Sequence, residues 1–121
     1  MLADSNLIIY ASSGNYPKLV TWFLENNISI SAISLVETLG YHDLKPLEKT
    51  MLMTIFSWLT VIYPTPAVFQ IAINLRQQHT LSLGNALVAA TAISQGLPLA
   101  THNIKDFKWI KNLQLLDPIT Q

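Results

Sequence analysis

The chain of 121 residues contains no cysteine, few charged residues and no long apolar run. The absence of cysteine excludes a disulfide framework and a zinc site built from thiolates. Only 12% of the residues are charged and the formal net charge is zero, so no overall basic field indicates a nucleic-acid partner. The longest apolar stretch, 51–63, is too short and too interrupted to span a bilayer, and the N-terminus lacks the basic region of a signal peptide. We therefore expect a cytoplasmic protein with no membrane partner.

The composition is otherwise rich in apolar residues, which make up half of the chain. A chain of this size and composition can bury one ample core, so we expect a single domain over residues 1–121. Because charges are so few, much of the surface must be weakly polar. Surfaces of that kind often form interfaces with partner molecules.

Short apolar segments alternate with segments of helical periodicity along the whole chain. Five candidate strands are centred near Leu2, Ser29, Val61, Pro98 and Gln114. This alternation predicts an α/β domain with three layers (α/β/α), in which helices cover both faces of a mainly parallel central sheet of about five strands. The prediction depends most on residues 82–107. They are expected to form an alanine-rich buried helix, a strand and then a polar loop that ends at Asp106 and Phe107.

Three of the seven carboxylates, Asp4, Glu37 and Asp106, follow predicted strands or begin the next helix. The carboxyl ends of parallel strands meet at one edge of a sheet, and Asn85 begins another helix on the same side. No basic residue is predicted among these acids, so each would raise the pKa of the others unless a cation lies between them. Ligands that are all oxygen favour Mg²⁺ or Mn²⁺.

Local explanations also exist for these residues. Asp4 could simply cap a helix, and Glu37 follows Ser34 in the S-x-x-E form of a capping box, with the helix then ending near His42 and Asp43. His42 and His79 end predicted helices, where the dipole favours a cation, and His102 is interpreted as an incidental exposed histidine. Three lysines are either candidate phosphate contacts or parts of an ordinary solvated face: Lys105, Lys108 and Lys111.

Three stretches in this order resemble the PIN-domain ribonucleases, specifically the toxins of VapBC-type toxin–antitoxin modules. The first, LADSNLIIYA, places the family's first acid at Asp4 and a polar residue at Asn6, and the second, SLVETLGY, places an acid at Glu37. The third and most recognisable block is NALVAATAISQGLPLATHNIKDF. The family's threonine, asparagine and final acid fall there on Thr101, Asn103 and Asp106. The resemblance covers nearly the whole chain.

The resemblance implies an endoribonuclease that depends on Mg²⁺ or Mn²⁺ and acts as a toxin. It implies that the metal ion is held by three acids: Asp4, Glu37 and Asp106. It also implies that ligands and water are oriented by three polar residues: Asn6, Thr101 and Asn103. The expected partners are an RNA substrate, a second copy of the chain in a homodimer, and a small VapB-like antitoxin.

The chain departs from the family at one acid, because the third family acid falls on Asn85. Asparagine has the same shape as aspartate but carries no charge and cannot act as a base, so we expect weaker metal binding and little cleavage. The asparagine is either a natural loss or a substitution that disables a toxic protein. An alternative function is a degenerate PIN domain that binds RNA or protein. A phospho-acceptor receiver fits less well, because Asp4 has no adjacent acid.

Overall fold

The computed structural model describes residues 1–120 as short strands separated by helices. The strands are β1 (Leu2–Ala3), β2 (Ser29–Ser31), β3 (Thr60–Ile62), β4 (Leu99–Ala100) and β5 (Leu115–Leu116). The helices are α1 (Ser5–Ser12), α2 (Pro17–Glu25), α3 (Ala32–Leu39), α4 (Pro46–Phe56), α5 (Pro66–Gln78), α6 (Leu83–Gln95) and α7 (Ile104–Phe107).

The five strands form one sheet in the order β3-β2-β1-β4-β5, and every pair of neighbours is parallel. Parallel neighbours need a crossover connection, and helices between the strands supply it. The predicted α/β class is confirmed, and the last strand, β5, lies at an edge of the sheet. The order places β1 at the centre of the sheet, between β2 and β4.

Two apolar clusters cover the two faces of the sheet and create three layers. On one face, Leu2 and Leu99 pack with side chains of α5 and α6; on the other, Ala3, Ile30 and Ala100 pack with α1, α2 and α4. Successive residues of a strand point to opposite faces, which explains why Leu2 and Ala3 belong to different clusters. Helix α6 is buried continuously from Ala86 to Ala92.

Helix boundaries differ from the prediction at three places. Apolar residues at helical spacing predict a helix over 15–27, and helix α2 is shorter than that range at both ends. Helix α3 ends at Leu39, with Gly40 following it, rather than near His42 and Asp43. The expected polar loop before Phe107 contains the short helix α7, so Asp106 is helical. Within residues 1–120, no helix is long and apolar enough to cross a membrane.

Candidate functional site

Asp4 lies at the carboxyl end of the central strand and caps the helix that follows. Its Oδ1 accepts a hydrogen bond from the backbone N–H of Asn6 at 3.4 Å, and its side chain is almost fully buried. Because β1 and β4 are neighbours, Thr101, which directly follows β4, lies beside Asp4 and donates from its hydroxyl to Asp4 Oδ2 at 2.8 Å. The backbone N–H of Asn103 in turn donates to Thr101 Oγ1 at 3.0 Å. Asp4 is therefore a helix cap, as the local explanation proposed, and is also bound by a second strand end.

Glu37 does not cap a helix, so its interpretation as part of a capping box is wrong. Ser31 at the end of β2 caps α3, because its Oγ accepts the backbone N–H of Ile33 at 3.2 Å. Ser34 and Glu37 therefore lie inside the helix, one turn apart, and face the same way. Ser5 Oγ lies 2.7 Å from Ser34 Oγ and donates to Glu37 Oε1 at 2.7 Å.

The other oxygen of Glu37 rests against the first turn of α6. A Cβ atom on Gly84 would overlap with Glu37 Oε2, so any other residue at this position would require the carboxylate to move. The N-terminal turn of a helix carries partial positive charge, which favours an anion there. Within α6 no acidic residue occupies this turn, and Glu37 reaches it from α3.

The electrostatics of Asp4 are unfavourable to its charged form. Burial raises the pKa of the Asp4 carboxyl, and the negative charge of Glu37 adds to the rise, whereas the hydrogen bonds from Thr101 and the Asn6 N–H oppose it. Neither carboxylate has a basic partner, since the ion pairs among residues 1–120 join His42 to Asp43 and His102 to Asp117. Two facing carboxylates of this kind are stabilised when a cation neutralises them.

Asp106, the remaining acid, and Asn85, which replaces a family acid, line a hollow of their own. A hollow of about 220 Å³ is lined by His79, Thr80, Leu81, Ser82, Asn85, Lys105 and Asp106. Asn85 is half-buried in the first turn of α6, where its backbone N–H donates to Ser82 Oγ at 3.1 Å. Asp106 is exposed on α7. In the described part of the chain, no three His, Asp or Glu side chains form a group that could hold one metal ion, so the predicted three acids are arranged as a pair and a separate Asp106.

The three candidate lysines do not share one surface. Lys105 lines the hollow with Asn85 and Asp106, Lys108 is exposed directly after α7, and Lys111 lines another hollow that also contains Trp109. Of the three, Lys105 is the one that lines the hollow with Asn85 and Asp106.

Sequence reasoning overlooked several residues that complete the site. Ser5, Ser34 and Gly84 contact Glu37 or one another across distant parts of the sequence. Ser34 lies three residues before Glu37, and this spacing is visible in the sequence. It reflects two residues on one face of α3 and not a capping box. His79 was explained as a helix terminus, yet it lines the hollow.

The donor set of the pair fits a hard divalent cation. Asp4 and Glu37 offer carboxylate oxygens only, and the buried Asp4 carboxylate has no basic side chain to neutralise it. Asn85 can add a neutral carbonyl oxygen but no charge. The residues therefore fit Mg²⁺ or Mn²⁺, with one negative charge fewer than an aspartate at position 85 would provide.

Comparisons with known proteins identify the family. A family model described as the PIN domain matches residues 1–112. Ribonuclease VapC1 of Rickettsia felis is 46% identical over 41 residues, a match that spans 34% of the chain and 31% of that relative. The structure is similar to that of VapBC2 from Rickettsia felis bound to a DNA fragment from its promoter (27% identity, TM-score 0.80, 95% and 96% of the two chains).

A toxin–antitoxin complex from Klebsiella pneumoniae is similar as well, with 27% identity and a TM-score of 0.73 over 97% of this chain and 96% of that one. The two structural matches span nearly the whole chain. The resemblance to VapC-like PIN domains is thereby confirmed, and the chain belongs to the PIN-domain family.

Proposed function

We propose that the chain is a metal-dependent endoribonuclease toxin of a toxin–antitoxin module, whose cleavage is weakened because Asn85 stands where an acid is needed. The observation that carries the proposal is the buried Asp4 carboxylate, which faces Glu37 with no basic partner and with a raised pKa. Such an arrangement costs stability, and groups of this kind cluster at functional sites. The names of the VapC1 relative and of the toxin–antitoxin complexes support the same class of activity.

In this proposal Asp4 and Glu37 would bind the divalent cation as a pair, and Asp106, which the resemblance implies as a further acid, lies apart from them on α7. A bound Mg²⁺ or Mn²⁺ supplies a Lewis acid for the phosphodiester and an activated water. Thr101 and Ser5 orient the carboxylates of Asp4 and Glu37 by hydrogen bonds of 2.8 and 2.7 Å. Partners that orient ligands in this way usually contribute about 10- to 100-fold to metal affinity or activity.

The backbone of two predicted polar residues supports this arrangement. Asn6 donates its backbone N–H to Asp4, and Asn103 donates its backbone N–H to Thr101. Both residues therefore stabilise the positions of the groups that bind the cation. Lys105, on the rim of the hollow, is placed to contact a substrate phosphate.

Asn85 is the residue that limits activity in this proposal. Its amide oxygen can coordinate a cation, but it adds no negative charge and cannot accept a proton at neutral pH. The fold tolerates either side chain at this position, because the hydrogen bond to Ser82 uses the backbone N–H of residue 85.

Restoring the acid tests the proposal directly. The native chain and the Asn85→Asp variant are stripped with a chelator, reconstituted with Mn²⁺ or Mg²⁺, and incubated with total RNA. We expect the variant to cleave at least about 100-fold faster, with mapped cut sites, because the additional charge strengthens cation binding. The double variant Asp4→Asn/Asn85→Asp is the control and should be inactive. Equal cleavage by the native chain and Asn85→Asp would contradict the weakening assigned to Asn85.

A second candidate function is a binding module that has lost its chemistry, and Asn85 is the observation that favours it. In that case Asn85→Asp would bind RNA yet leave it intact under every metal condition. This outcome would exclude the nuclease proposal and retain the binding module.

The proposed partners are a small antitoxin and a second copy of the chain. Exposed apolar side chains on α4 and α5 provide surface for such contacts: Leu47, Met53, Phe69 and Ile73. The toxin–antitoxin complexes of the relatives support an antitoxin partner. Size-exclusion chromatography with light scattering should give the mass of a dimer, and a monomer at micromolar concentration would contradict the homodimer.

A further inference from the structure

An aromatic pair stands at the edge of the hollow and has no role in the proposed chemistry. The rings of His79 and Trp109 stack with centroids 4.6 Å apart and planes 12° apart. His79 directly follows α5, and Trp109 lies two residues after α7, so the stack joins two separate elements. Trp109 is partly buried, whereas His79 is exposed. The indole therefore covers one face of the imidazole while the imidazole itself remains accessible to solvent.

Both rings are fixed by hydrogen bonds as well as by stacking. Trp109 Nε1 donates to the backbone carbonyl of Asp106 at 3.0 Å. His79 Nδ1 lies 3.0 Å from the carbonyl oxygen of Thr80, which makes this nitrogen the donor. An aromatic surface that is immobile before a ligand arrives loses less conformational entropy on binding.

The stack of His79 and Trp109 lies close to Asp106 and Asn85. His79 lines the same hollow as Asn85, Lys105 and Asp106. Among residues 1–120, Lys105 forms no ion pair, so its ammonium group is not neutralised by the neighbouring Asp106. A flat ring and an unpaired cation thus stand together beside the position proposed for cleavage.

We propose that this hollow is a nucleotide subsite for single-stranded RNA, in which His79, supported by Trp109, stacks on one base and Lys105 contacts the adjoining phosphate. Only an unpaired strand offers the exposed base face that stacking needs. The combination of an aromatic surface and a cation is the usual means by which proteins bind single strands. The inference rests on the proposed function, since it assumes an RNA substrate at these acids.

The test measures binding without cleavage. A fluorescein-labelled single-stranded RNA oligonucleotide is titrated with the native chain in the presence of EDTA, and anisotropy gives Kd. We expect His79→Ala and Lys105→Ala each to weaken binding about 5- to 10-fold, the lower part of the range for one lost stacking or phosphate contact. His79→Phe keeps the flat ring and should retain affinity within about twofold.

Matched controls distinguish a loss of RNA affinity that is specific to the hollow from one that follows the removal of any exposed histidine or lysine. His42 is also an exposed histidine in contact with an aromatic ring, that of Tyr41 at 5.1 Å, but it does not line the hollow. Lys18 is an exposed lysine on α2. His42→Ala and Lys18→Ala should leave Kd unchanged. Thermal melts of all variants show whether each one folds.

The outcomes distinguish this subsite from the proposed nuclease activity. Unchanged affinity of folded His79→Ala and Lys105→Ala would overturn the subsite, as would an equal loss in the control variants or no measurable RNA binding by the native chain. If His79→Ala loses affinity while Asn85→Asp never cleaves, the subsite stands and the nuclease proposal fails. If Asn85→Asp cleaves and the His79 variants bind normally, only the subsite is overturned.

Discussion

The two halves of the candidate site differ in how firmly the fold holds their side chains. The inner half consists of Asp4 and Glu37 with their partners Ser5 and Thr101, which are linked by side-chain hydrogen bonds of 2.7 and 2.8 Å. The outer half consists of Asn85, Lys105 and Asp106, which line an open hollow. The inner residues Asp4, Ser5 and Thr101 are buried, whereas Lys105 and Asp106 are exposed.

The difference follows from the elements that carry each half. In the inner half, Asp4 and Thr101 follow β1 and β4, adjacent strands whose register is set by backbone pairing, while Ser5 and Glu37 lie on α1 and α3. The outer half lies on the first turn of α6 and on the four-residue helix α7. A substitution in the outer half can therefore alter the charge of the site without disturbing the sheet. A chain of this kind can lose activity and still fold. The predictions below test whether activity and folding depend on different halves of the site.

Restoring the charge of the outer half should produce the largest effect. Asn85→Asp should bind Mn²⁺ about 10- to 100-fold more tightly than the native chain, because an additional carboxylate strengthens the site. Without metal, the same variant should be less stable than the native chain, since the new charge adds to the repulsion that Asp4 and Glu37 already exert. Isothermal titration calorimetry measures the affinity, and thermal melts in EDTA and in Mn²⁺ measure the stability.

The control for this comparison is Asn112→Asp, which adds the same charge at an exposed position that does not line the hollow. It should change neither the Mn²⁺ affinity nor the response of the melting temperature to Mn²⁺. Equal Mn²⁺ affinity of Asn85→Asp and the native chain would show that residue 85 is not part of the metal site.

Gly84 connects the two halves, and replacing it should have an intermediate effect. A Cβ at this position would overlap with the carboxylate of Glu37, which must then move. In the Asn85→Asp background we expect Gly84→Ala to weaken Mn²⁺ binding about 10-fold, the usual size of an effect on ligand orientation. Alanine also favours helix by up to about 1 kcal/mol relative to glycine, so the melting temperature should not fall in parallel.

Calorimetry and thermal melts on the same samples check this prediction. Ser94→Ala, an exposed substitution near the other end of α6, controls for helix propensity. Undiminished Mn²⁺ affinity in Gly84→Ala would mean that the position of Glu37 against α6 does not matter for binding.

The comparison of the halves also explains what could be predicted from the sequence. The alternation of strands and helices predicted a parallel sheet, and a parallel sheet brings the residues that follow its strands to one edge. Asp4 and Thr101 were therefore predictable as neighbours although 97 positions separate them. The head of α6 was equally clear, because its apolar run begins directly after Asn85.

The remaining features depend on contacts that local patterns do not show. The S-x-x-E pattern at Ser34 and Glu37 fitted a capping box, but the end of β2 already supplied Ser31 as the cap, three residues earlier. The bond between Ser5 and Glu37 and the stack of His79 on Trp109 each join residues about 30 positions apart. Neither pair has a periodicity that could reveal it.

A contrast between two acids shows why the inner half should limit stability. Burial and the charge of Glu37 raise the pKa of Asp4. Burial would also raise the pKa of Asp117, but hydrogen bonds from His102 and the Ile119 N–H outweigh it and lower that pKa. A raised pKa means that the folded state binds the proton more tightly than the unfolded state, so stability is lost as the pH rises through the carboxyl range. For Asp117 the sign is reversed, and stability is lost as the pH falls.

Asp4→Asn should therefore stabilise the metal-free chain, with the smallest effect of the three predictions. At pH 7 we expect a gain of about 1 kcal/mol in the free energy of unfolding, typical of removing a strained functional group. The amide oxygen of the asparagine can still accept from the Asn6 N–H, and its amide nitrogen can donate to the Thr101 hydroxyl, so both contacts can be kept with the direction of the second reversed. The gain should shrink toward zero below about pH 4, where Asp4 is protonated in both states. Asp117→Asn should instead destabilise the chain at pH 7, because it removes a favourable charge. Urea unfolding in EDTA from about pH 3 to pH 8 measures both, and a loss of stability in Asp4→Asn at neutral pH would show that the inner half is not under electrostatic strain.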